Sequence, residues 1–250
     1  ILDSLFPIHF VSKLLGLTSY SMREKHGNKE FVRSKIDRLI NGILAVAMVY
    51  LTYQANCFIG GSNVAIVAAL MTSWASYVYI LCFVITVNWK QTQMIDTYTK
   101  ISQFHNILNT EVQERVNITK LTRYVRWFRR IQYFHLSSMA CLNMYYTILN
   151  KSDVFCSLRY ILSHVLATHV EMQIFCLLIA SKYIMQFFTD LLKQKPVSIG
   201  SIRTMHRLYY DLKNDIQEIF QGTIFCKFVT VVLELASNAY FLLVFFKSDD

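Results

Sequence analysis

Residues 39–89 read LINGILAVAMVYLTYQANCFIGGSNVAIVAALMTSWASYVYILCFVITVNW, a run of 51 positions without Asp, Glu, Lys or Arg. It is interrupted only by Gly60-Gly61-Ser62-Asn63 near its middle, a cluster with the composition of a tight turn. A bilayer core about 30 Å thick takes roughly 20 apolar residues at about 1.5 Å of helical rise each, so the stretch suffices for two crossings joined by that turn. The chain is therefore expected to open with a membrane hairpin.

The composition of the whole chain agrees. Hydrophobic residues make up 54% of the chain and charged ones 16%, against about a quarter charged in a soluble domain. Seven Gly and two Pro leave little turn material for a barrel of short strands, so helices are expected. The fold class is all-α, a polytopic transmembrane helix bundle with cytoplasmic helical extensions. Five spans can be drawn, at 36–59, 65–87, 128–149, 157–181 and 222–246, within a bundle covering 36–250. Residues 1–35 form an N-terminal segment with an interfacial helix. The connections at 88–127 and 182–221 are each about forty residues long, too long for simple turns.

Lysine and arginine placement sets the orientation. Twenty-one of them flank the first span or lie around the two long connections, against Lys151, Arg159 and Lys247 on the other side, with Lys227 inside a span. The N-terminus and both long connections are thus expected in the cytoplasm. Each connection carries an apolar stripe at three- or four-residue spacing: Met94, Tyr98, Ile101, Phe104, Leu108 and Val112 in one, and Met205, Leu208/Tyr209, Leu212, Ile216 and Ile219/Phe220 in the other. Asp211, Asp215 and Glu218 make the second stripe's polar face too acidic for a helix lying on anionic lipid, which favours packing of the stripes against each other.

The net charge of +9 is spread between apolar spans and forms no nucleic-acid motif. The six cysteines show no C-x-x-C spacing and read mostly as small apolar packers in helices; Cys57 and Cys156 would lie near the same membrane face, where a bridge is the alternative. His164 and His169 point about 140° apart on a helix, no H-E-x-x-H, G-x-S-x-G or P-loop occurs, and neither an enzyme nor a cofactor or metal site is indicated.

Ionisable groups at membrane depth mark functional positions or satisfied structural pairs. His164, Thr168 and Glu171 share one helix face, as do Lys227, Thr230, Glu234 and Asn238. Lys227 lies near the cytoplasmic end of its span, where its stem can snorkel to the interface, whereas Glu234 is too deep for that. Glu171 and Glu234 are expected to face the bundle, either hydrogen-bonded to His, Asn or Ser of neighbouring helices or lining a wet cavity, since buried carboxylates often neutralise by raising their pKa. Polar and aromatic groups recur at similar depth in the outer halves of the spans, and Trp74, Asn143, Tyr146, Tyr160, His164, Glu171, Asn238 and Tyr240 form the expected ligand-binding set. Helix packing and an aromatic belt are the alternative for each.

The opening Phe6-Pro7-Ile8-His9-Phe10-Val11-Ser12-Lys13-Leu14-Leu15-Gly16-Leu17 is similar to the segment before the first span of insect gustatory receptors. The stretch from Met205-His206-Arg207-Leu208-Tyr209-Tyr210-Asp211-Leu212 through Ile219-Phe220 into Asn238-Ala239-Tyr240-Phe241-Leu242-Leu243 resembles that family's cytoplasmic helix running into its fifth span. The resemblance covers nearly the whole chain. It implies a multi-pass plasma-membrane protein with a cytoplasmic N-terminus, a subunit of a homo- or hetero-tetrameric ligand-gated cation channel whose outer half receives a small organic tastant. Beyond the lipid bilayer, the tastant and related subunits, no nucleic-acid partner is implied. The chain starts at Ile1, ends at Asp250 after five expected spans and lacks the family's T-Y-x-x-x-x-x-Q-F motif, so the resemblance implies a fragment whose last two helices would follow. A transporter using Glu171 and Glu234, or a G-protein-coupled-type receptor, is the alternative; the lysine and arginine balance opposes the latter's exterior N-terminus.

Overall fold

Helix-favouring sequence with few breakers gives seven α-helices and one two-stranded ribbon among the described residues. They run α1 (Leu2–Leu14), β1 (Tyr20–Lys25), β2 (Asn28–Arg33), α2 (Lys35–Gln54), α3 (Asn63–Trp89), α4 (Gln91–Glu111), α5 (Thr119–Asn150), α6 (Val154–Gln194) and α7 (Ile199–Lys247). The structure is a computed structural model that describes residues 2–25, 28–54, 63–111, 119–150, 154–194 and 198–247.

Four of the five expected spans fall within one helix each, and the described part of the first, 36–54, falls within α2; its remainder lies outside the described residues. The helices do not stop where the spans do. At about 1.5 Å per residue, the 41 residues of α6 reach about 60 Å and the 49 of α7 about 75 Å, twice a bilayer core or more. By length and composition, α6 over Ile161–Asp190 and α7 over Ile199–Tyr240 are able to cross a membrane, and Trp74–Trp89 of α3 is a shorter apolar stretch. α5 is more polar because Lys120, Arg123, Arg126, Arg129 and Arg130 crowd its start, with no acidic residue anywhere in the helix. Large apolar side chains are nonetheless exposed along several helices, including Ile43 and Val46 of α2, Phe134 and Ile148 of α5, and Phe225, Phe228 and Leu235 of α7. Exposed apolar side chains on so many helices suit hydrocarbon better than water.

α3 and α7 pack antiparallel, as two contacts show. Phe83 stacks on Phe220 at 6.2 Å, and the Thr230 hydroxyl donates to the Ala75 carbonyl at 3.2 Å. Past Trp89 the chain turns at Lys90 into α4, with i to i−4 hydrogen bonds on both sides of the turn, so α4 continues close to the course of α3. α4 then packs along the first half of α7. Met94, Ile101 and Phe104 are buried in the same core as Met205, Leu212, Ile216 and Ile219, so the two stripes meet. Ion pairs rim the seam, Lys100 with Asp215, and Lys90 with Glu218 at 3.4 Å. The side chains of Leu108 and Val112 lie outside the described residues.

The N-terminal segment holds an element absent from the sequence expectation, an antiparallel hairpin pairing Tyr20 with Arg33, Met22 with Phe31 and Lys25 with Asn28. α1 leads into it through a Schellman turn: the Gly16 amide donates to the Lys13 carbonyl at 3.0 Å and the Leu17 amide to the Ser12 carbonyl at 2.8 Å. Gly16 has φ +70°, the left-handed region, and a Cβ there would meet Ile40 Cγ2 at 3.1 Å. The Gly16 carbonyl accepts from Asn41 Nδ2 at 2.8 Å, and Asn41 in turn accepts from Asn88, which ties α1, α2 and α3 together. Lys13 pairs with Asp37 at 3.2 Å, and Arg33 donates to Thr92 at 2.6 Å.

Beneath the hairpin lies a ring cluster. His9 stacks on Tyr20 with centroids 5.1 Å apart, Phe31 stacks on Tyr98 at 4.4 Å, and the two pairs meet edge-on. His9 is buried, and neither ring nitrogen has a hydrogen-bond partner among the described residues. Burial, with Lys13 adding and Asp37 opposing, lowers its pKa to about 4. Burial likewise pushes the Tyr98 hydroxyl up to about 12.

Candidate functional site

α6 and α7 bring their charged stripes together at one point. Lys227 Nζ lies 2.8 Å from Glu171 Oε1, with the two side chains 31% and 30% exposed. The same ammonium sits 5.5 Å from the centroid of the Tyr79 ring on α3, within cation–π range. These groups line an open groove of about 490 Å³ between α3, α5, α6 and α7, within the about 300–1,000 Å³ usual for small-molecule sites. Phe128 and Gln132 come from α5, Phe175 and Leu178 from α6, and Phe228 and Val231 from α7. Phe128 and Phe175 touch, with centroids 4.1 Å apart, closing the α5–α6 side. Phe228 is 65% and Phe175 41% exposed, so the groove opens sideways, where the bundle's surface is apolar.

The helical period explains why these residues share one lining. Glu171, Phe175 and Leu178 recur at four and three residues on α6, and Ile224, Lys227, Phe228 and Val231 occupy one stripe of α7. Thr230, on the next position around α7, faces α3 instead and anchors the pair through Ala75. Chemically the groove is an aromatic and aliphatic slot holding one neutralised charge pair and the Gln132 amide. Among the described residues no three His, Cys, Asp or Glu side chains converge in the manner of a metal site.

Of the residues expected to bind ligand, Glu171 lines this groove. His164, seven residues earlier on the same α6 face, is half-buried. Asn143 on α5 and Tyr240 on α7 are half-buried, whereas Asn238 is exposed and Trp74 is 44% exposed. The side chains of Tyr146 and Tyr160 lie outside the described residues, as do those of Cys57 and Cys156. The described cysteines Cys82, Cys141, Cys176 and Cys226 are free thiols. Glu234 is half-buried on α7 outside the groove lining.

Sequence reasoning missed Lys227 and the four rings Tyr79, Phe128, Phe175 and Phe228. Depth alone sends Lys227 to the interface; the structure pairs it inward with Glu171. The available signal was the spacing of Phe175 four residues after Glu171 and of Phe228 beside Lys227, which puts a ring next to each charge. No family model matches the sequence, and no curated protein matches it.

Proposed function

We propose that the chain is part of a gustatory-type receptor, a subunit of a ligand-gated cation channel that detects small organic tastants. In this reading it is a plasma-membrane protein with five spans at 36–59, 65–87, 128–149, 157–181 and 222–246 and a cytoplasmic N-terminus, assembled as a homo- or hetero-tetramer. The tastant would occupy the outer halves of the spans, with His164 and Glu171 at the inner end of its site. Support comes from the lysine and arginine asymmetry, from the resemblance of the opening and α7 segments, and above all from one observation. α7 runs unbroken from its packing on α4 to the groove and beyond, so a shift of the helix at the groove is carried mechanically to the α4–α7 layer.

A ligand gates such a protein to the extent that it binds one helix arrangement more tightly than the other. The test is expression of the complete coding sequence of its transcript in cells without native taste receptors, with whole-cell recording during application of sugars and bitter compounds. Cation currents evoked by one compound class and reduced by His164→Ala support the reading. Substrate uptake without current, abolished by Glu171→Gln, would replace it with a transporter.

A further inference from the structure

The charges in the groove have unequal freedom. Glu171 stands about ten residues inside the 157–181 span, roughly 15 Å of helical rise, and its short side chain cannot regain the interface. Lys227 stands about five residues inside the 222–246 span, roughly 7 Å, and its four-carbon stem can carry the ammonium back to the headgroups. Lys227 is therefore able to leave the pair and Glu171 is not. An anion stranded at that depth either takes up a proton or is stabilised by another cation. Around it the groove presents the rings of Tyr79, Phe128, Phe175 and Phe228, whose faces attract cations and disfavour anions.

From this asymmetry we propose that the groove binds a hydrophobic organic ammonium ion. Its cationic head takes the place of the Lys227 ammonium at Glu171, and its apolar body lies against Phe128, Phe175 and Phe228. The exchange keeps the groove neutral, because Lys227 carries its charge to the cytoplasmic interface as the ligand brings one in. The exposure of Phe175 and Phe228 on the groove's open side makes the lipid side the route of entry. Binding breaks the Lys227–Glu171 link and so loosens α6 from α7 at this level. The proposal rests on the receptor reading for the span bounds that set the depth of the two charges and for the side to which Lys227 returns; the binding step itself is a property of this chain alone.

The test uses the whole chain purified in detergent, titrated calorimetrically with benzyltrimethylammonium and with its uncharged isostere neopentylbenzene. The ammonium is expected to bind about tenfold more tightly than the isostere. Glu171→Gln removes that preference, and Phe228→Leu weakens both compounds. Lys227→Met removes the competitor and tightens ammonium binding about tenfold, a gain that a purely structural ion pair would not give. Melting and gel-filtration profiles establish that each variant is folded; if Glu171→Gln fails this control, Lys227→Met and Phe228→Leu decide. Equal binding of both compounds, or weaker ammonium binding by folded Lys227→Met, overturns the proposal. Neither result bears on evoked currents, and absent currents with an intact ammonium preference would sink the receptor reading while leaving the site in place.

Discussion

Acidification should release the N-terminal hairpin through one side chain, His9. Its imidazole titrates near the ordinary 6.5 in an unfolded chain and near 4 in the cluster with Tyr20 and Phe31, so the unfolded form takes up the proton first. Stability from the neutral ring is fully present above about pH 6.5 and is lost as pH falls towards about 4, where the folded form also protonates. The whole difference is worth about 3 kcal/mol, and at pH 5 about 2 kcal/mol of it is gone, roughly thirtyfold in the opening equilibrium. Amide hydrogen exchange of β1 and β2 at pH 7.5 and pH 5, corrected for intrinsic exchange rates, reads this directly. His9→Phe keeps a ring against Tyr20 but has no proton to bind, so it should flatten the pH dependence. Carboxylates such as Asp37 titrate in both proteins and cancel in the comparison. If His9→Phe loses as much hairpin protection on acidification as the parent chain, desolvation of His9 is not what links this hairpin to pH.

Breaking the groove pair from one side should cost more than removing both charges. Lys227→Met strands Glu171 and is expected to lower stability by about 1–3 kcal/mol, less than for a fully buried pair because both side chains are about 30% exposed, while adding Glu171→Gln recovers most of the loss; melting in detergent checks this. Gly16→Ala places a Cβ 3.1 Å from Ile40 Cγ2 in a left-handed turn and should cost about 1–2 kcal/mol, read as faster exchange of the Leu17 amide. Ile101→Ala, which empties a fully buried position in the α4–α7 core, should cost about 2–4 kcal/mol and expose that seam to limited proteolysis, whereas Gln103→Ala on the exposed face of α4 should change neither.

The charge-free run, the five helical segments and the meeting of the α4 and α7 stripes are legible because each rests on a local rule, length against rise or three-to-four spacing. The hairpin escapes because its strands of six residues are strongly charged, including Arg23, Lys25, Lys29 and Glu30, and because what fixes it is remote. Tyr20 and Phe31 find their partners in His9 and Tyr98, a contact across 78 residues that no local pattern encodes. The same limit applies to the groove. The stripes through Glu171 and Lys227 are visible one at a time, yet only the crossing of α6 with α7 sets the charges face to face. Helix boundaries fail in a third way. α6 and α7 pass straight through the expected ends of their spans because the flanking residues are themselves good helix formers, and hydropathy marks the edge of the lipid, not the end of a helix.

Sidedness is the claim on which the receptor reading stands. In a chain whose native cysteines are replaced, single cysteines introduced at Gln103, exposed on α4, and at Lys151, between α5 and α6, should react oppositely with a membrane-impermeant maleimide. The account predicts labelling of Lys151→Cys on intact cells and of Gln103→Cys only after permeabilisation. Labelling of Gln103→Cys on intact cells, or recovery of the chain as a monomer from detergent-free buffer, would contradict it.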